Sequence, residues 1–194
     1  MKKLLITGFE PFGGEAVNPS WDAVRALPDE VGEYALTKLC IPVVFGEAAE
    51  RVIEAAEKLL PDAIISVGQA GGRAAITPEL VAINHRYAKI PDNNGNEPKD
   101  EPVIAGGEVA YFATIPVRKI SEDINSVGIP SEVSYSAGAY VCNDVLYTLL
   151  NKYKDKGIKI GFIHVPYSTE QNKETSMKIE DIVMGLTVAI ENLD

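Results

Sequence analysis

At 194 residues, with 46% apolar and 24% charged side chains, the chain can bury one full hydrophobic core, and its composition fits neither a disordered segment nor a repeat array. A net charge of −10 argues against a nucleic-acid partner, which needs clustered Lys and Arg; Lys152, Lys154, Lys156 and Lys159 are interleaved with Asp155 and read as a solvated helix end and loop. Two cysteines make no disulfide framework, which points to a cytoplasmic location, and no apolar run approaches the ~20 residues of a membrane span, so no membrane association is expected.

No linker-like run divides the chain, and one α/β domain over residues 1–194 is expected. The apolar N-terminus stops at Gly8-Phe9-Glu10-Pro11, too early for a signal peptide, so Lys3 to Thr7 reads as a buried strand. Asn18-Pro19 reads as an N-cap with proline at the first helical position, followed by Trp21, Val24 and Leu27 on one face. Tyr34 to Ile41 alternates as a strand and holds Cys40, which reads as packing. Ala49, Val52, Ile53, Ala56, Leu59 and Leu60 repeat at helical spacing. Ala63 to Val67 is wholly apolar, as is a strand covered on both faces, and argues for a largely parallel sheet between helix layers.

A second glycine-rich loop, Gly68-Gln69-Ala70-Gly71-Gly72-Arg73, precedes a strand expected over Leu80 to Asn84, with Glu79 at its edge. Tyr87 to Val109 has little periodicity and should be a long loop, of the kind that tends to be functional; its Ile90, Val103, Ile104 and Val109 suggest an association surface. Val117, Ile120, Ile124 and Val127 mark a helix closed by Gly128 and Pro130. Ser131 to Tyr135 alternates as a strand, Lys159 to Val165 reads as a further buried strand, and Ile179 to Leu193 is a final amphipathic helix.

Cys142 stands between Ser131 to Tyr135 and an apolar helix through Val145, Leu146, Leu149 and Leu150, so it should occupy the first turn of that helix. Free amides and the positive end of the helix dipole there favour a thiolate and could cradle an oxyanion. A cysteine nucleophile needs a base, and the base is best oriented by a carboxylate. Only two histidines exist. His164 ends the strand that follows the Cys142 helix, at the edge where open α/β sheets place ligands, whereas His85 lies in a polar stretch and reads as a surface residue. Metal-binding spacings such as Cys-x-x-Cys or His-Glu-x-x-His are lacking, and no metal or cofactor is expected. Both glycine-rich loops lack the phosphate-loop patterns, and Phe9 and Phe12 in the first suit a flat neutral ring better than a phosphate.

Taken together, Gly8-Phe9-Glu10-Pro11-Phe12-Gly13-Gly14 with Asn18-Pro19, Pro42-Val43-Val44-Phe45, Gly71-Gly72-Arg73 with Glu79 and Ala82-Ile83-Asn84, Ile90-Pro91-Asp92-Asn93, Ser136-Ala137-Gly138 with Cys142-Asn143, and His164-Val165-Pro166-Tyr167 resemble the pyrrolidone-carboxylate peptidases (pyroglutamyl peptidase I). The resemblance spans Gly8 to Tyr167. It implies a cofactor-free cytoplasmic cysteine exopeptidase that removes an N-terminal pyroglutamyl residue from peptides, with an α/β/α sandwich around a mixed, largely parallel sheet, assembled as a homo-oligomer, tetramer or dimer. By motif it makes Cys142 the nucleophile, His164 the general base and acid, and Glu79 the carboxylate that orients the histidine. Its ring pocket maps onto Phe9, Phe12, Asn18, Gln69, Tyr140 and Val141.

The chain departs from the family at Leu80, where arginine is usual, at Tyr87 and Lys89, where Asp and Arg are usual, and at Tyr135, where Asn is common. That second arginine is associated with the oxyanion, so the resemblance sets Lys89 near it; lysine keeps the charge and loses the planar fork. Two other readings stand beside this one. The first is a phosphorolytic nucleoside transferase of similar α/β build, using the glycine loops for phosphate. The second is a small-amide-binding homologue that has lost turnover through these departures.

Overall fold

The computed structural model describes residues 1–194. Its elements, in chain order, are β1 (Lys2–Phe9), α1 (Pro19–Ala26), β2 (Glu30–Val31), β3 (Tyr34–Ile41), α2 (Glu47–Leu59), β4 (Ala63–Gln69), β5 (Thr77–Pro78), β6 (Val81–Ile83), β7 (Arg86–Tyr87), β8 (Lys99–Glu101), β9 (Ala110–Phe112), α3 (Val117–Ser126), α4 (Val141–Tyr153), β10 (Lys159–Val165), β11 (Tyr167–Ser168), a 3₁₀ turn over Thr169–Gln171, β12 (Ser176–Met177) and α5 (Ile179–Glu191).

Six strands form a mixed sheet in the order β2-β3-β1-β4-β10-β5, in which β3, β1, β4 and β10 run parallel while β2 and β5 are antiparallel to their neighbours. Successive side chains of a strand point to opposite faces, and the central strands are apolar on both. Leu4 and Ile6 of β1 accordingly join α1, α3 and α5 in one core, while Leu5 joins α2 and α4 in the other. The result is the three-layer α/β/α sandwich expected from the wholly apolar strands.

Helix starts follow the local chemistry. Asn18 caps α1 by accepting from the Ser20 amide at 3.1 Å, and Pro19 takes the first position, where its missing N–H costs nothing. On α2 the buried residues Ala48, Ala49, Val52 and Ala56 give the apolar stripe, and Leu60 closes the helix in the left-handed conformation.

Several expectations are corrected. Ser131 to Tyr135 is not a strand; it touches the β5 region only through bridges between Ile76 and Ser131 and between Glu79 and Ser134, because Pro78 has no N–H to continue a ladder. The strand in Leu80 to Asn84 shrinks to Val81–Ile83 and pairs with β9 off the main sheet. The long loop contains the short hairpin of β7 and β8, and its Val103 is buried while Ile104 packs against the α2 and α4 core. Cys40 is exposed rather than packed: β2 covers only Tyr34 and Ala35 of β3, which leaves the far end of that strand an open edge.

Candidate active site

The carboxyl ends of β1, β4 and β10 present Phe9, Gln69 and His164 at one edge of the sheet. From β1 the chain moves outward to β3 and then returns past β1 to β4, so the direction of winding reverses between β1 and β4. A crevice outside the strand ends is the geometric consequence of such a reversal. A cavity of about 280 Å³ opens here, and Phe9, Phe12, Asn18, Gln69, Tyr140 and Val141 all line it together with Cys142 and His164.

Cys142 is the second residue of α4, whose N-cap residue Tyr140 is extended and makes no side-chain cap. The amides of Val141 and Asn143 therefore donate to no protein acceptor, and that of Cys142 faces its own sulfur. Asn143 secures this helix start from outside, accepting from the Ile83 amide at 2.9 Å and donating to the carbonyls of Ile83 at 2.9 Å and His85 at 3.0 Å. Asp144, wholly buried, accepts from the Gly46 amide at 2.8 Å and from Arg86.

Gly68 and His164 are partners in the parallel ladder of β4 and β10. A Cβ on Gly68 would stand 3.0 Å from Cys142 Sγ. Paired residues of a parallel ladder present side chains to the same face on strands about 4.8 Å apart, so sulfur and imidazole are neighbours on that face. The His164 ring also packs on Phe162, with centroids 4.7 Å apart.

Glu79 reaches the histidine because its backbone runs along β10: its amide donates to the Phe162 carbonyl at 2.9 Å. Its side chain is wholly buried, and Oε1 lies 2.6 Å from His164 Nδ1 and 2.8 Å from Arg73 Nη1. With Nδ1 committed, His164 Nε2 is left without a protein partner. Burial pushes the Glu79 carboxyl up, but the His164 hydrogen bond and charge, helped by the neighbouring Ser134 hydroxyl and by Arg73, bring it below the usual carboxylate range. The Ser134 hydroxyl donates to the Ser136 carbonyl at 3.2 Å, and Glu79 Oε2 has no hydrogen-bond partner.

The family model for pyroglutamyl peptidase matches residues 2–194. The pyrrolidone-carboxylate peptidase of Thermosipho africanus is 51% identical, over 97% of this chain and 95% of the relative, and that of Vibrio parahaemolyticus is 46% identical over 98% and 92%. The chain belongs to the pyroglutamyl peptidase family. Crystal structures agree: pyroglutamyl peptidase I from Bacillus amyloliquefaciens superposes with a TM-score of 0.95 at 44% identity, covering 100% of this chain and 97% of the other. Pyrrolidone carboxyl peptidase from Thermococcus litoralis gives 0.95 at 36%, covering 100% and 93%.

Not every residue marked by the pyroglutamyl peptidase resemblance comes to the cavity. Lys89 is exposed and does not line it; the guanidinium there is that of Arg73, which also donates to Thr77 Oγ1 at 2.6 Å and to the Ser136 carbonyl at 3.3 Å. Tyr135 is exposed beside Arg118, Leu80 packs against the α1, α3 and α5 core, and His85 pairs with Asp100 at 3.1 Å away from the cavity. Val43, Ala70, Arg73 and the Ser136 to Gly138 wall also line the cavity; all but Ala70 stood among the motifs, but none had been mapped to the pocket. Asn143 stood in the Cys142-Asn143 motif without a role, and Asp144 was not singled out.

The thiol departs most from expectation. Burial pushes Cys142 up to about 12, the Glu79 carboxylate adds to this, and Arg73 and the residue's own amide only partly oppose it. Desolvation of the sulfur thus opposes the helix start and favours the neutral thiol.

Proposed function

We propose that the protein is a cysteine exopeptidase that removes an N-terminal pyroglutamyl residue from peptides, with Cys142 as nucleophile, His164 as base and acid, and Glu79 as the orienting carboxylate. The observation that carries this reading is the meeting of Cys142 and His164 with Phe9 and Phe12 in one cavity, with Glu79 buried behind the imidazole at 2.6 Å from Nδ1. As Cys142 Sγ attacks the carbonyl carbon that follows the lactam ring, its proton passes to His164 Nε2. Charge developing on the carbonyl oxygen falls within the free amides at the head of α4. Glu79 and Arg73 hold the imidazolium in place, and the imidazolium then protonates the departing amine as the C–N bond breaks, leaving a thioester. Water, deprotonated by His164, attacks the thioester carbon and releases pyroglutamate and the thiol. The lactam ring carries no free amine, so its pocket needs aromatic faces and hydrogen bonds and no buried acid.

Nucleoside phosphorolysis is less well supported, because the guanidinium of Arg73 is spent on Glu79, Thr77 and Ser136. A binder without turnover loses its motive, since Leu80, Lys89 and Tyr135 all lie outside the cavity lining. Release of the amine from a pyroglutamyl amide, abolished by Cys142→Ala and independent of phosphate, tests the reading. Failure of the unaltered protein to release it at any phosphate concentration overturns it.

The same proposal extends to a cytoplasmic homo-oligomer, dimer or tetramer, with no nucleic-acid or membrane partner. Association is supported by exposed apolar side chains at Ile90, Val109, Phe112 and Met184. No helix is long and apolar enough to cross a membrane. Sedimentation at working concentration tests the association, and a fully active monomer rejects it.

A further inference from the structure

Gln69 ends β4 and lines the cavity, and one end of its side-chain amide is held by Gln171. Which end is which decides what it reads on a ligand, because an amide nitrogen only donates and an amide oxygen only accepts. The choice is fixed by the 3₁₀ turn that follows β11. The backbone N–H of Ser168 can only donate, and it meets Gln171 Oε1 at 3.0 Å. The other end of Gln171 is therefore its NH₂ group, and this lies 3.0 Å from Gln69 and 3.4 Å from a Glu15 carboxylate oxygen. A carboxylate can only accept, and Lys173, 2.8 Å away, holds Glu15 below its usual range. Two independent partners thus agree on the orientation of Gln171. Gln69 must turn Oε1 to Gln171, and its Nε2, which makes no hydrogen bond to protein, is left for the cavity.

Asn18, the other amide on the lining, is held at both ends by protein: Oδ1 accepts from the Ser20 amide at 3.1 Å and hydroxyl at 2.8 Å, and one Nδ2 hydrogen is donated to the Glu10 carbonyl at 2.9 Å. Resting on the pyroglutamyl reading above, we propose that Gln171 is a positioning residue that locks the Gln69 amide with its N–H toward the cavity, so that the site selects rings by their carbonyl oxygen. The chain Ser168 N–H to Gln171 to Gln69 is a relay of hydrogen-bond polarity from the backbone to the ligand. It makes the lactam C=O, and not the lactam N–H, the group that Gln69 recognises.

Gln171→Glu keeps the acceptor for the Ser168 amide and removes the donor. Measured above pH 7, where the new carboxylate is ionised, it draws the Gln69 NH₂ toward itself and turns the Gln69 oxygen to the cavity. The probes are 3-oxocyclopentanecarboxamide and cyclopentanecarboxamide, which differ by one carbonyl, used as competitive inhibitors of pyroglutamyl-amide cleavage. For the unaltered protein the ketone should bind about tenfold tighter, the worth of one hydrogen bond. In Gln171→Glu the ratio should fall to one or below, Gln69→Leu should give the same collapse, and the double variant should add nothing further. A second variant, Gln171→Met, removes the donor without adding charge and guards against misfolding of the first, as judged by circular dichroism and melting. A merely structural role would weaken both inhibitors equally, and a ratio held in either folded variant overturns the inference. Cleavage by the unaltered protein with no preference for the ketone overturns it alone, whereas no pyroglutamyl cleavage at all overturns the functional reading and takes this inference with it.

Discussion

The sulfur of Cys142 hangs over Gly68 so closely that a single methyl group on that glycine would stand 3.0 Å from it and 2.8 Å from the Phe162 ring. The residue type at 68 is therefore part of how the thiol is seated. Gly68→Ala should destabilise the fold by about 1–3 kcal/mol, the range for forced overpacking. It should also reduce turnover by more than the unfolded fraction explains, because the helix start or the Phe162 ring must move, and Phe162 packs on His164. Melting curves alongside kcat separate the two effects, and a variant with unchanged kcat and melting temperature would show that the contact is slack.

The raised Cys142 thiol gives a pH dependence with a definite sign. Its ordinary value is 9.0 and burial takes it to about 12, so the unfolded chain loses this proton first as pH rises. Stability is thus whole below about 9 and declines between about 9 and 12. Cys142→Ser should flatten part of that decline in melting experiments, the buried tyrosines with raised values accounting for the remainder. Alkylation of Cys142 by iodoacetamide should likewise accelerate through the alkaline range and abolish turnover, whereas modification of exposed Cys40 should leave turnover intact.

His164→Ala should lower kcat by at least about 10²-fold, the contribution usual for a positioned acid and base, while His85→Ala should leave most activity. Glu79→Gln should cost less than His164→Ala, because Glu79 meets the imidazole at Nδ1 and exchanges no proton with substrate. It carries a second signature as well: loss of the carboxylate removes a charge that raises the Cys142 thiol, so alkylation should speed up while catalysis slows. Equal losses at His85 and His164 would show the base to be misassigned.

The long strands and helices of the sandwich were legible, because Ala63 to Val67 is an unbroken apolar run, the α2 stripe keeps the 3.6-residue repeat, and Asn18-Pro19 marks the start of α1. Apart from β6, expected over Leu80 to Asn84, the short strands between β4 and α3 escaped notice, since two- and three-residue pairings carry no period and Glu79 is held by its backbone beside β10. Cys142 and His164 could be paired because each sits at the end of a legible element. The commitment of Arg73 to Glu79 could not, since it depends on a glycine-rich turn folding the guanidinium back over β5. Nor could the raised value of the thiol be read: a helix start is a local feature, whereas the desolvation that opposes it comes from the whole wall around the sulfur. The exposure of Cys40 has a similar origin, in a neighbouring strand too short to cover it.

Position 89 separates motif from geometry. Lys89 is exposed and outside the cavity, so Lys89→Arg should leave kcat unchanged, whereas Arg73→Lys should lower it by removing the fork that joins Glu79, Thr77 and Ser136. Steady-state kinetics of the two variants side by side decide the matter. A rise in kcat for Lys89→Arg would bring that residue back to the oxyanion and count against the geometry.

The aromatic wall offers the sharpest separation of binding from chemistry. Phe12 is half-buried and tilts against Tyr140 at 6.3 Å between centroids, Tyr140 packs edge-on against Phe45 at 5.2 Å, and its hydroxyl donates to the Pro91 carbonyl at 3.0 Å. Phe9 lies deeper, against Phe162 at 6.2 Å. Phe12 is thus the member of the wall with the least packing to lose and the most open face toward a ligand. Phe12→Ala should remove apolar contact with the lactam ring worth about 1.5–3 kcal/mol and lower kcat/KM for pyroglutamyl amides by about 10- to 150-fold. The iodoacetamide rate at Cys142 should change far less, because the charges that act on the thiol are those of Glu79 and Arg73, neither of which involves Phe12. Phe9→Ala should reduce both quantities together, since its ring supports Phe162 and through it the His164 imidazole. A joint fall in both rates for Phe12→Ala would make its loop structural and move the ring pocket elsewhere.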